Sequence, residues 1–203
     1  SGDHPHRHRG DDGEGHPHSP HAFGGGFWPV LRGAWHSHVG WFLSNRPKLE
    51  KRYIVDLLKD PMIRRVDSLF PLWVLLGLAI PAILGGLLTM SWMGVLLGFL
   101  WGGLVRVFLV HHVTWSVNSV CHIWGSRPFR SHDHSRNNPI FGVLALGEGW
   151  HNNHHAFPAS ARHGLRWWQF DISYIIIKSL SYVGITRNVR VPSRERINAK
   201  LAA

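Results

Sequence analysis

The 38 residues from Ser68 to Val105 contain no Asp, Glu, Lys or Arg, in a chain where 17% of residues are charged. A soluble domain of that composition would carry about six charges over such a length. As a single helix the run would extend ~57 Å, whereas a bilayer's hydrocarbon core is ~30 Å thick. Two spans fit instead. A turn at Thr89-Met90-Ser91-Trp92-Met93-Gly94 gives Leu69–Met90 and Trp92–Val110 as a transmembrane hairpin. Pro81 should kink the first span, which is tolerated where a neighbouring helix covers the freed carbonyl. Gly85-Gly86 and Gly102-Gly103 offer close backbone approach. The mean hydropathy of −0.08 hides all this, because very polar ends dilute the apolar middle.

The 22 basic and 12 acidic residues give a formal charge of +10. Ten Lys or Arg precede the apolar run and eleven follow it, with Arg106 at its margin. By the positive-inside rule both flanks lie on the cytoplasmic side. Anionic lipid headgroups then account for the basic excess, and no basic face on a recognition fold points to nucleic acid. Cys121 is the single cysteine, which excludes an intrachain disulfide and any CxxC motif. Metal chemistry here has to rest on histidine.

Histidine is abundant, with 17 residues, and its densest cluster is Gly147-Glu148-Gly149-Trp150-His151-Asn152-Asn153-His154-His155. On a helix His151, His154 and His155 stand at i, i+3 and i+4 and project from one face. Neutral imidazoles so spaced suit iron, copper or zinc; the alternative is a solvated polar turn. A second polar pair ends the membrane hairpin. Asn118 and His122 are one helical turn apart, with His111 and Trp115 on a neighbouring strip and His112 as a polar cap at the interface. A third cluster, His4 to His21, holds six histidines in a His-, Gly- and Pro-rich stretch. It is either a metal-scavenging tail or a loop ordered around metal. The hairpin brings all three clusters to one side, as a polynuclear histidine site requires.

The remaining segments read as interfacial or connecting. Residues 27–43 are aromatic and helical in rhythm, with Trp28, Trp35 and Trp41 beside His36 and His38, as suits the membrane interface. Residues 44–68 form a basic cytoplasmic connection, with a short helix ending at Pro61. The run 162–171 is basic and aromatic like an interfacial belt. Residues 172–185 form an interfacial or buried helix, too short to span, and 187–203 are a basic tail to which the residues assign no role. The expected architecture is an all-α integral membrane protein: a cytoplasmic segment (1–66), a transmembrane hairpin (67–112), and a cytoplasmic helical cap with basic tail (113–203) carrying a histidine-rich di-metal site.

The motifs resemble the membrane fatty acid desaturases of the stearoyl-type Δ9 group. WHSHVGW at 35–41, Asn118-Ser119 followed by His122, RPF at 127–129, GEGWHNNHHAFP at 147–158 and RHGLRWWQFD at 162–171 look like that family's signatures in order. The resemblance implies a non-haem di-iron enzyme that uses O₂ to remove two hydrogens from adjacent methylenes of a long acyl chain. By that analogy His151, His154 and His155 form the third histidine box, His122 is an additional ligand, and Asn118 approaches a metal through water. Arg46, Lys48, Arg162 and Arg166 are candidates for meeting an anionic substrate headgroup. A separate electron donor of ferredoxin or cytochrome b5 type is implied, since no His-Pro-Gly-Gly haem motif occurs.

Two departures accompany the resemblance. The family's second box is HxxHH, then seven residues, then Asp-Pro-His. Here His4 and His8 match, Arg7 stands where a ligating His belongs and His16 where the Asp belongs. Arginine stays protonated and cannot ligate iron, so His6 is the possible substitute. The first box, HxxxxH, has no counterpart, and the expectation is a C-terminal fragment that does not assemble two irons alone. Competing readings are a hydroxylase or ketolase of the same histidine-box class and a non-catalytic membrane metal-binding protein.

Overall fold

The computed structural model describes residues 20–21, 23–43 and 59–202. The described residues are mostly helical, with three isolated bridging pairs and no strand among them. Residues 20–43 with 113–202, and residues 59–112, form separate compact units.

The second unit is the apolar hairpin. Asp60 caps the short helix α2 (Pro61–Ser68), accepting from the amides of Met62 (2.8 Å) and Ile63 (3.3 Å). Pro61 therefore opens a helix here, because its missing N–H is no loss at a first turn. Helix α3 (Phe70–Thr89) has the 20 residues needed to cross ~30 Å. Met90 turns the chain in the left-handed region (φ 50°), and Ser91 caps α4 (Trp92–Leu97) through the amide of Gly94 at 3.0 Å. The turn thus falls inside the hexapeptide picked out from sequence. A π-helical stretch, Gly98–Val105, continues into α5 (Arg106–Ser119) and a 3₁₀ turn, Val120–His122. Together Trp92–His122 make a second apolar helix long enough to span. Leu75, Ile83, Leu87, Leu88, Leu96 and Trp101 face outward, an arrangement that belongs in lipid.

Glycine lets the two arms meet backbone to backbone. A Cβ on Gly85 would collide with the carbonyl of Gly94, and one on Gly98 with the carbonyl of Pro81. Pro81 cannot donate to the carbonyl four residues earlier, that of Gly77. Arg106 supplies the missing donor from the opposite arm: its Nη2 donates to Gly77 O at 2.9 Å, while its Nε donates to Gly102 O at 2.7 Å. The one charge at the margin of the apolar run therefore repairs the proline defect.

In the other unit, α1 (Phe27–Trp35) runs through a π turn, His36–Gly40, into Trp41–Leu43. It leaves Phe27, Trp28 and Trp35 exposed, in keeping with an interfacial helix. Four short helices follow in the 113–202 region: α6 (Pro139–Leu144), α7 (His151–Ala156), α8 (Ile172–Tyr182) and α9 (Arg194–Ala199). Helix α8, expected to be interfacial or buried, has no fully buried residue. The core is small: Phe129, Ala156 and Phe157, with Leu165 and Ile197 packed against them. The basic tail contributes to that core. Arg130 N donates to Lys200 O at 2.9 Å and Ala202 N to Pro128 O at 2.9 Å, so the tail pairs with the 128–130 segment.

Substituting Arg106→Met should leave Gly77 O without a donor, at a cost of about 1–3 kcal/mol. Adding Pro81→Ala restores the N–H and should recover most of the loss. Thermal unfolding of the detergent-solubilised protein measures both; equal unfolding temperatures for wild type and Arg106→Met would refute the repair.

Candidate metal centre

Helix α7 is the six residues His151–Ala156, mostly His and Asn. Such residues are indifferent helix formers, and so short a helix is unstable alone. Its neighbours hold it. Asn152, fully buried, accepts from Phe129 N (2.9 Å) and donates to Phe129 O (3.2 Å) and Ser131 Oγ (3.1 Å). Asn153, 1% exposed, donates to His163 O (2.6 Å) and Gln169 Oε1 (2.9 Å) and accepts from Asn137 Nδ2 (2.6 Å). Trp150 donates through its indole to Phe170 O (2.6 Å) and lies against Gly142, where a Cβ would strike its ring. Asp171 caps α8 at Tyr174 N (2.9 Å) and accepts from the amides of His163 (2.6 Å) and Gly164 (2.9 Å). The motif's two amides thus act as ties between loops, and its histidines are left for other work.

Three of those imidazoles converge. His122 Nε2 lies 2.9 Å from His151 Nε2, and His155 Nε2 lies 3.1 Å from the same atom. All three ligand atoms fall within 4.8 Å of one another. A neutral imidazole nitrogen carries either one proton or one lone pair, so His151 Nε2 cannot satisfy both contacts by hydrogen bonding. Two nitrogens each ~2.0–2.1 Å from one metal ion stand ~2.9–3.4 Å apart at tetrahedral or octahedral angles, and the His122–His151 and His155–His151 separations fall in that range. The donor set fits a metal.

The surroundings favour the neutral, ligating forms. Burial pushes the His151 imidazole well below its ordinary pKa, and His155 and His122 push it the same way. Burial, with His163 beside it, lowers His154 to about 4. Asp133 faces His155 Nδ1 directly. Burial alone would raise this carboxyl, but hydrogen bonds from His155 and Ser135 outweigh it and hold the group well below the usual carboxylate range. With His155 Nδ1–H donating to that carboxylate, Nε2 is left as the lone-pair nitrogen facing the cluster.

His154 is not among the three converging ligand atoms. Its ring lies 4.5 Å from that of His163, centroid to centroid, and its buried Nδ1 has no hydrogen-bond partner among the described residues. A buried nitrogen left unpaired in this way is what an additional metal would satisfy. Asn118, one turn before His122, is exposed. Of the headgroup candidates, Arg162 is engaged locally, with Nε donating to Gly164 O at 2.6 Å and its guanidinium over the Tyr174 ring, whereas Arg166 is exposed. His4, His6, His8, Arg46 and Lys48 lie outside the described residues.

A family model described as fatty acid desaturase matches residues 2–179. The chain belongs to the membrane fatty acid desaturases. It is 42% identical over 202 residues to a hex-5-enoyl-(acyl-carrier protein) acetylenase of Moorena producens, covering 98% of this chain and 63% of that protein. It is 40% identical over 181 residues to an acyl-CoA C20 Delta5-desaturase of Anemone leveillei, covering 87% and 52%. It is 37% identical over 168 residues to an sn-1 stearoyl-lipid 9-desaturase of Anabaena variabilis, covering 81% and 58%. The desaturase chain therefore spans between about half and two thirds of the length of these curated relatives.

Sequence reasoning did not pick out Asp133, His163, Asn137 or Lys200 in this desaturase. Asp133 lies in the polar loop 131–138, and nothing local marks its partner 22 residues away at His155. Replacing it by Asn removes the charge that orients His155. The expected result in the full-length protein is a 10–100-fold loss of iron affinity by chelator competition, with helical circular dichroism unchanged. Undiminished affinity would deny Asp133 that role.

Proposed function

We propose that the protein carrying this chain catalyses O₂-dependent desaturation of a long-chain fatty acyl substrate at a histidine-ligated di-iron centre. The observation that carries the reading is the meeting of three ring nitrogens from α5's end and α7 in a chain of the desaturase family. His122, His151 and His155 would hold iron through Nε2. His154, His4 and His8 complete the donor set, with His6 substituting where Arg7 stands and Asn118 acting through water.

Iron with O₂ supplies the oxidising power that an unactivated C–H bond demands and no acid–base side chain provides. The chain's residues bind and orient. An apolar cavity of about 690 Å³ lies between α1 and the end of α5, lined by Trp28, Leu31, Trp35, His38, Ser119 and Ile123. Its wall includes Ser119, Val120 and Ile123, which flank Cys121 and His122 in the chain, so an acyl chain held there would lie close to one of the imidazoles that would hold the metal. His38 Nδ1 and Ser119 Oγ, 2.9 Å apart, tie the two walls together. Arg32 is part of the cavity lining, and it, with Arg46, Lys48, Arg162 and Arg166, would meet the anionic end of the substrate.

Residues 67–112 form the membrane hairpin, and 1–66 and 113–203 lie on the cytoplasmic side with the termini and the metal site. The double bond is of Δ9 type, a position supported by the stearoyl-lipid relative's name. Electrons come from a separate ferredoxin or cytochrome b5 type donor.

The test is product and metal together in the full-length protein. Wild type should hold two irons per chain and convert stearoyl substrate to a monounsaturated product. His151→Ala should lower turnover at least ~100-fold and reduce bound iron, on the scale seen when a unit of catalytic groups is broken. Bound iron with no desaturated product would favour the metal-binding reading instead.

A further inference from the structure

We propose that the basic groove between α7's end and the C-terminal segment is the docking surface for an acidic electron-donor protein. The proposal rests on the desaturase reading, which sets the demand. Converting –CH₂–CH₂– to –CH=CH– with O₂ yields two waters; the acyl chain gives two hydrogens, and two further electrons and two protons must come from outside. A one-electron carrier has to dock twice per turnover, so its complex must form fast and separate fast.

The groove has a volume of about 340 Å³ and is lined by Ala156, Phe157 and Ser160 on one side and Arg190, Arg196 and Lys200 on the other. Ala156 directly follows His155, so the groove floor is one residue from the converging imidazoles. Lys200 fixes the tail there: its Nζ donates to Ala156 O at 2.6 Å and lies 5.2 Å from the centre of the Phe157 ring. A cation on the last carbonyls of α7 is also favourably placed for that helix's end. Ala161 N donates to Arg190 O at 2.8 Å and secures the groove's far edge.

The charge is one-sided and spread out. Between Arg187 and Ala203 there are five Lys or Arg and a single acid, Glu195. Arg187, Arg190, Arg194 and Arg196 are all exposed. A small anion would call for convergent, desolvated donors, whereas exposed cations distributed along a ridge attract a large acidic surface. Rim charges of this kind raise association rates and add little residence time, which matches small, transient redox interfaces.

The experiment compares reductants on the full-length protein in which Arg190→Glu, Arg194→Glu and Arg196→Glu are combined and Lys200 is kept. Product formation is driven either by a reduced acidic [2Fe–2S] ferredoxin or by dithionite with methyl viologen. The expected result at low salt is a fall of about tenfold or more with ferredoxin, with loss of the wild-type rate's steep dependence on NaCl. Viologen-driven turnover and iron content should stay at wild-type levels. An unchanged ferredoxin rate overturns the proposal. So does an equal loss with both reductants, which would make the arginines structural, or a raised acyl KM with an unchanged ferredoxin rate at saturating substrate, which would make the groove a carrier site. Wild-type protein that binds iron yet forms no product with either reductant would overturn the desaturase reading itself.

Discussion

The side-chain amide of Asn153 joins three segments: the 137–138 turn through Asn137, the 160–164 loop through His163 O, and the Gln169 side chain. Asn152 ties the same helix to Phe129 and Ser131. Each bond contributes only about 1 kcal/mol net, but a buried amide stripped of its partner costs about 1–3 kcal/mol. The network is therefore strongly all-or-none. Its product is a rigid single turn and a half of helix whose own composition would not form one. The same network fixes the helix that carries His151 and His155, whose Nε2 atoms lie 3.1 Å apart.

The membrane half solves a different problem with the same logic. In hydrocarbon no water is available for a stray carbonyl, and Pro81 creates one at Gly77. Arg106 answers it from the facing arm, and the glycines bring that arm within reach. Family membership and the converging imidazoles are the two findings on which the proposed function rests.

Much of this was legible in the chain itself. The uncharged run fixed the hairpin, and the turn at Met90-Ser91 followed from its length. The histidine spacing put His151, His154 and His155 on one face; the structure groups two of them with His122 and differs in one detail. At 3.6 residues per turn, positions i and i+4 are about 40° apart around a helix and i and i+3 about 60° the other way. The rings of His151 and His155 accordingly lie 4.3 Å apart and those of His151 and His154 6.1 Å apart, and His154 turns instead to His163. Asp133, Asn137 and the Lys200 contact to Ala156 were invisible because each joins residues far apart in sequence, with no periodicity to announce them. The tail from Arg187 reads as plain charge until its backbone is seen paired with 128–130.

The central claim is that His122, His151 and His155 serve one metal ion together. Anomalous scattering at the iron edge, from crystals of the full-length protein, locates iron directly against these side chains. The account predicts an iron peak within ~2.0–2.3 Å of the Nε2 atoms of all three. Iron bound elsewhere, with His122 and His151 still in mutual contact and free of metal, would contradict it.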